Sequence, residues 1–232
     1  MAVLTDLNTK EISHRIKAIG LSSGAELVGF VSADRFDDAP RGHRPSDLLP
    51  DARSAIVLAC GRKLNEDRNY VELVGRYYLL RFVAAKESVL ILRQQSAKCV
   101  EKVASYLEDE GFKAVIEWCG WSTTLSFRRA AYEGGLGVFG KGGFVIHPKY
   151  GPLNILAAIA TDAPLENATP LNLDLCKDCT KCIEACEKYG AITQNGFDTQ
   201  KCRVFDVWDP KTRLRIYGPC NAECVNVCPI GK

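Results

Sequence analysis

Cys176-Lys-Asp-Cys179-Thr-Lys-Cys182-Ile-Glu-Ala-Cys186 is the stretch that decides how this chain is organised. Its spacing, two intervening residues twice and then three, is that of the bacterial ferredoxin run. There the first three thiolates wrap one [4Fe-4S] cube and the fourth reaches a neighbouring cluster. A second set has to follow, and Cys202, Cys220, Cys224 and Cys228 supply it, with Pro229 after the last as in that motif. The spacing assigns Cys176, Cys179, Cys182 and Cys228 to cluster one, and Cys186, Cys202, Cys220 and Cys224 to cluster two. Zinc is the alternative, since Cys-x2-Cys pairs also build tetrahedral zinc sites, but three cysteines at successive x2 spacing fit one ion poorly. Two departures concern cluster two: Glu187 stands where proline is usual, and three residues separate Cys220 from Cys224 where two are commoner.

Working outward, only Cys60, Cys99 and Cys119 of the 11 cysteines precede this region, a shift in composition that marks a domain boundary. With 232 residues, 47% of them hydrophobic, the chain can bury a real core and is long enough for one medium and one small domain. A net charge of +2 demands neither nucleic acid nor an anionic surface. The start, MAVLTDLNTKEISHR, lacks the order of a secretion signal, and no apolar run is long enough to span a bilayer. The expectation is a cytoplasmic protein with no membrane contact.

Upstream, Ile12, Ile16 and Ile19 recur at helical spacing, and Leu27 to Val31 reads as a strand. Ser54-Ala-Ile-Val-Leu-Ala-Cys60 is a continuous apolar run of strand length, suited to a central strand buried on both faces. Helical periodicity without proline extends from Tyr70 to about Glu110 and ends at Gly111. Ala114 to Trp118 reads as a strand, and Ser122 or Thr123 can cap a helix through Tyr132. Phe144 to His147 and Asn154 to Thr161 read as strands around the turn Pro148-Lys-Tyr-Gly-Pro152. Residues 1–165 are expected to form an α/β or α+β domain, and residues 166–232 the cluster domain, joined by a short polar connector from Asp162 to Pro170.

Gly135-Leu-Gly-Val-Phe-Gly-Lys-Gly-Gly143 contains GxGxxG and comes close to a P-loop. Both nucleotide motifs need a strand before the glycines and a helix after them. Here a helix comes first and a strand follows, which argues against a nucleotide.

The chain resembles the cobalamin-dependent epoxyqueuosine reductases and their relatives, the reductive dehalogenases. His43-Arg-Pro45 with Leu48-Leu-Pro50, Gly135-Leu-Gly137 with Gly140-Lys141, Ile146-x-Pro148-x-Tyr150-Gly151, Thr161-Asp-x-Pro-Leu165 and the two cysteine sets carry the resemblance. It implies an α+β protein with a nitroreductase-like, corrinoid-binding core followed by a two-[4Fe-4S] ferredoxin domain that reduces the cobalt. It also implies a low-potential electron donor of ferredoxin or flavodoxin type, and a small-molecule or modified-base substrate. Gly135, Gly137, Gly140, Lys141, Gly142 and Gly143 become corrinoid-contact candidates, because glycines let backbone approach a large flat ring. The other reading is that they only permit a tight loop beneath the clusters.

The family's Asp-x-x-Pro-x-x-Glu-Arg segment, whose Asp donates a proton, aligns with Trp121-Ser-Thr-Thr-Leu-Ser-Phe-Arg128, which keeps only the Arg. The sequence stops four residues after Cys228, without the helical repeats of many tRNA-acting members. On both counts tRNA is not the expected partner. Tyr150, Tyr132 and His147 remain as candidate proton donors, with packing or turn roles as the alternative. Cys119 could line the pocket, or like Cys60 and Cys99 act as a small hydrophobe. Arg203, Lys211, Arg213 and Arg215 could dock a partner or form a solvated face. Two functions follow: a corrinoid-dependent iron–sulfur oxidoreductase, or an electron-transfer or corrinoid-activating protein without substrate turnover.

Overall fold

The computed structural model describes residues 2–60, 85–117, 125–152, 156–202, 207–209, 214–216 and 223–231, and for residues 2–8, 60, 85–96, 207–209 and 214–216 the backbone alone. In chain order these form α1 (Ala2–Ser22), β1 (Ala25–Ser32), α2 (Pro45–Leu48), β2 (Ser54–Cys60), α3 (Ala85–Asp109), β3 (Ala114–Glu117) and α4 (Phe127–Glu133). Then come β4 (Val138–Phe139), β5 (Val145–His147), β6 (Gly151–Pro152) and β7 (Leu156–Thr161). The cysteine-rich part adds α5 (Lys181–Ala185), β8 (Ile192–Thr193), β9 (Gly196–Phe197), β10 (Val207–Asp209), β11 (Leu214–Ile216) and α6 (Glu223–Asn226). The protein is a mixed helix-and-sheet structure.

The main sheet has the order β1-β2-β7-β3, and every neighbouring pair is antiparallel. The apolar run Ser54–Cys60 is an inner strand, as its composition predicts, and Ile56, Val57 and Leu58 are fully buried. Strand alternation sends Ile56, Leu58 and Ile159 to one face, where α1 and α3 supply Ile12, Ile16, Val100, Val103 and Leu107. Val57, Ala59 and Ala158 point the other way, onto Phe36, Leu125, Ala130, Ala131 and Leu136. Burying each such side chain contributes roughly 1.5–3 kcal/mol, so the doubly covered sheet is the frame on which the rest is mounted.

Several boundaries differ from the sequence reading. Helix α1 extends well past Thr9–Ile19 on both sides. Of the helical region expected from Tyr70, residues 61–84 lie outside the described residues; α3 ends as predicted at Gly111, which takes φ +85° while Phe112 N–H reaches back to the Leu107 carbonyl. Helix α4 begins at Phe127, after Ser126, so a cap at Ser122 or Thr123 is not its start; those two residues also lie outside the described set. The connector from Asp162 is not a loose polar linker. Ala163 and Leu165 are buried, Leu165 N–H donates to Ser54 Oγ, and Glu166 N–H donates to Ser13 Oγ at 2.9 Å. In α2, Asp47 accepts N–H groups of Gly42 and Arg44, which hold its carboxyl below the usual range and fix the His43-Arg-Pro45 turn.

Candidate metal centre

The first cysteine run winds as a turn and a short helix. Cys179 N–H donates to the Cys176 carbonyl, α5 carries Cys182, and Cys186 closes the helix by donating to Ile183. Burial pushes the Cys182 thiol up, and the charges of Cys176, Cys179 and Cys228 add to the shift. Cys182 thus feels the charges of the three other cysteines expected with it for cluster one, Cys228 among them although it is 46 positions further along the sequence. Cys186 is buried with Ala191 and Ile192, and Cys182, Cys202, Cys224 and Phe197 pack against them. Three cysteines expected for cluster two thus share one small core with Cys182, expected for cluster one; Cys220 lies outside the described residues. Cys176, Cys179, Cys182, Cys186 and Cys202 are in no disulfide. Among the described residues no three of His, Cys, Asp and Glu converge closely enough to hold a single metal ion.

The glycine segment lies against Cys176 of the first set and against Ile192 and Phe197. It follows α4 and precedes β5, the helix-then-strand order read in the sequence. A Cβ on Gly137 would stand 2.5 Å from the Ile146 carbonyl oxygen, and one on Gly140 would collide with the Ile146 side chain and sit 3.3 Å from Cys176 Sγ. Lys141 reaches over the first run, its Nζ donating to the carbonyls of Lys177 at 3.0 Å and Cys179 at 3.2 Å. Gly143, at φ +74°, makes room for the Phe197 ring of β9. Gly135 approaches the Thr169 carbonyl, and Gly142 is buried between Phe144 and Ile192. The side-chain positions of Gly137, Gly140 and Gly143 are therefore taken up by the chain's own atoms.

The candidate proton donors fall into two places. His147 Nδ1 accepts the N–H groups of Lys149 and Tyr150, and the two rings lie 4.9 Å apart, so both belong to the β5–β6 turn. Tyr132 on α4 stacks at 5.2 Å on Phe139, which is 50% exposed. Cys99 is a core residue whose thiol donates to the Ser23 carbonyl. Cys119, Trp121, Arg203, Lys211 and Arg213 lie outside the described residues, as do the side chains of Cys60 and Arg215.

Two residues carry more than sequence reasoning gave them. Arg128 holds its guanidinium carbon 5.7 Å from the Phe144 ring centre and 5.8 Å from that of Phe197. Glu117 is buried on the sheet face that α4 covers, its Oε1 has no hydrogen-bond partner among the described residues, and burial raises its pKa. For Arg128 a signal existed, since it is the residue of the family segment that this sequence retains.

Comparison with known proteins settles the resemblance. The epoxyqueuosine reductase of Staphylococcus aureus is 29% identical across 96% of this chain, and that of Bacillus subtilis 26% across 97%. This chain is similar to the epoxyqueuosine reductases along nearly its whole length. It spans 65% of the length of each of these two relatives. No protein-family model matches it. Among solved structures, an epoxyqueuosine reductase bound to an epoxyqueuosine-modified tRNA stem loop superposes with a TM-score of 0.66 over 95% of this chain and 65% of its own, at 21% identity. A catabolic reductive dehalogenase superposes at 0.68 over 94% of this chain and 31% of its own, at 20% identity. The two kinds of protein share this chain's fold. Among the described residues no helix is long and apolar enough to cross a membrane.

Proposed function

We propose that this chain is an iron–sulfur oxidoreductase of the epoxyqueuosine reductase kind, with a nitroreductase-like core over residues 1–165 and a two-[4Fe-4S] ferredoxin-like region over residues 166–232. The observation that carries the reading is the seating of the glycine loop on the cysteine-rich part: Gly140 lies against Cys176, and Gly143 against Phe197, which packs on the core of Cys186, Ala191 and Ile192. Electrons held at the first set are then close to the loop that the resemblance assigns to the corrinoid.

The residues fit the clusters. Iron–sulfur cubes require four thiolates each; the sequence supplies four for each set, and the described residues include all four of the first and three of the second. The fit to a corrinoid is narrower. Because the chain fills the side-chain positions of Gly137, Gly140 and Gly143 itself, the loop from Gly135 to Gly143 offers a ring only backbone groups and the exposed face of Phe139. A corrinoid bound there would supply a low-potential, nucleophilic cobalt centre. A ferredoxin- or flavodoxin-type donor is the partner such clusters need.

The substrate we place first is tRNA carrying epoxyqueuosine, against the expectation from sequence. A structural relative holds such a stem loop, and its likeness covers 95% of this chain. The second reading, an electron-transfer or corrinoid-activating protein without turnover, is favoured by the acids. Trp121 stands at the family's Asp, Glu133 is paired with Arg35 at 3.0 Å, and Asp162 accepts the Lys113 N–H. The deciding experiment incubates reconstituted, corrinoid-loaded, reduced protein with tRNA bearing the epoxide and analyses its nucleosides. Multiple turnovers support the reductase; none, with clusters and corrinoid retained, supports the second reading. Failure to retain iron overturns both.

A further inference from the structure

We propose that Arg128 is the counter-cation of cluster two, held between Phe144 and Phe197 so that it favours the reduced state of that cluster. The inference rests on the functional reading above, in that the second cysteine set must hold a cluster. Arg128 leaves α4 half-buried, with Phe144 of the glycine loop and Phe197 of β9 flanking its guanidinium. Phe197 packs against the small core of Cys186, Ala191 and Ile192, on which Cys182, Cys202 and Cys224 also sit.

Two other arginines nearby have carboxylates: Arg35 has Glu133 and its α4 neighbour Arg129 has Asp38. Among the described residues no carboxylate pairs with Arg128. A guanidinium keeps its proton, so Arg128 stays a fixed positive charge at this place. Burial lowers the Arg128 pKa, and the charge opposing that shift is Cys202.

A cube on four thiolates is anionic and becomes more so on accepting an electron, so a nearby fixed cation stabilises the reduced form more than the oxidised one. The step is a one-electron transfer from a low-potential reductant to the cluster, and no bond to Arg128 forms or breaks. Arg128 is in these terms a positioning charge rather than a catalytic residue.

The test compares anaerobically reconstituted wild type, Arg128→Lys and Arg128→Met in a dithionite titration with mediators, reading the reduced clusters by EPR. The cluster-two signal is assigned by its loss in Cys202→Ser. In Arg128→Met the ratio of reduced to oxidised cluster two at fixed potential should fall about tenfold, equal to ~59 mV for one electron, while Arg128→Lys stays near wild type. If Arg128→Met retains only about four iron per chain and Arg128→Lys about eight, the cation is needed to hold the cluster, which supports the same conclusion. An unmoved potential in Arg128→Met with iron intact overturns the proposal, as does equal iron loss in both variants, since packing would then explain it. Wild type that never exceeds about four iron is a separate result: it defeats the functional reading, and the inference with it.

Discussion

Gly140 and Cys176, 36 positions apart in sequence, are in contact through space: a Cβ added to the glycine would lie 3.3 Å from the cysteine sulfur while running into Ile146. The side-chain space at Gly140 is therefore filled by Ile146, with the Cys176 sulfur beside it. Gly140→Val should cost about 1–3 kcal/mol from overpacking and should lower the iron content of cluster one. Corrinoid loss with both clusters and stability intact would instead mean that the glycine serves the ring alone. Urea unfolding and iron analysis on the same sample separate the two.

Iron and sulfide counting tests the ligand sets directly. Fully reconstituted protein should carry about eight of each per chain, following from two cubes. Cys179→Ala should remove cluster one, and Cys202→Ala should chiefly disturb cluster two. Recovery of zinc in their place would end the iron–sulfur reading.

Lys141 holds two backbone carbonyls of the first run with one ammonium group. Lys141→Met removes both hydrogen bonds while keeping the aliphatic stem, and should cost roughly 1 kcal/mol, since charged-group hydrogen bonds contribute about 1.5–3 kcal/mol before the discount for solvent at this half-exposed site. The loosened run should also lose cluster one faster under mild chelation. Chelation kinetics matching wild type would make the contact incidental.

Glu117 gives a pH dependence whose sign can be worked out. Burial raises its pKa above the ordinary value of 4.5, so folding favours the neutral acid. That contribution is fully present below 4.5 and is lost as pH climbs through the raised value. Glu117→Gln should match wild type near pH 4, the ordinary carboxyl range, and be more stable at neutral pH, as read by denaturant midpoints. Equal midpoints at both pH values would show that the carboxyl is solvated or ion-paired.

In the sheet, Ile159 is fully buried between helices α1 and α3. Ile159→Ala should lose about 2–5 kcal/mol, the transfer term plus the cavity left behind. A loss under about 1 kcal/mol would mean that the site collapses around the gap.

The periodicity of the chain made the sheet legible, because Ser54–Cys60 could bury both faces only as an inner strand. The cysteine spacing was equally informative, since it reflects short-range geometry that a cube imposes. What the sequence could not reveal were meetings between distant segments. Nothing local to Gly143 announces Phe197, and nothing local to Arg128 announces the second cysteine set. Lys141, read as a corrinoid contact from its place in the loop, in the structure binds carbonyls of the first run. The start of α4 was misplaced because Ser122 and Thr123 carry good capping chemistry, while Ser126 precedes the helix without using its hydroxyl.

The turn at Gly151 receives the carbonyl of Ile230, two residues after Cys228, and Cys228 belongs with a trio whose last member is Cys182. In the proposed ligand set, cluster one is thus unfinished until the segment around Ile230 has folded back onto β6. Iron loading would then double as a checkpoint on folding: until Cys228 has docked, the other three thiolates of that set leave an open corner.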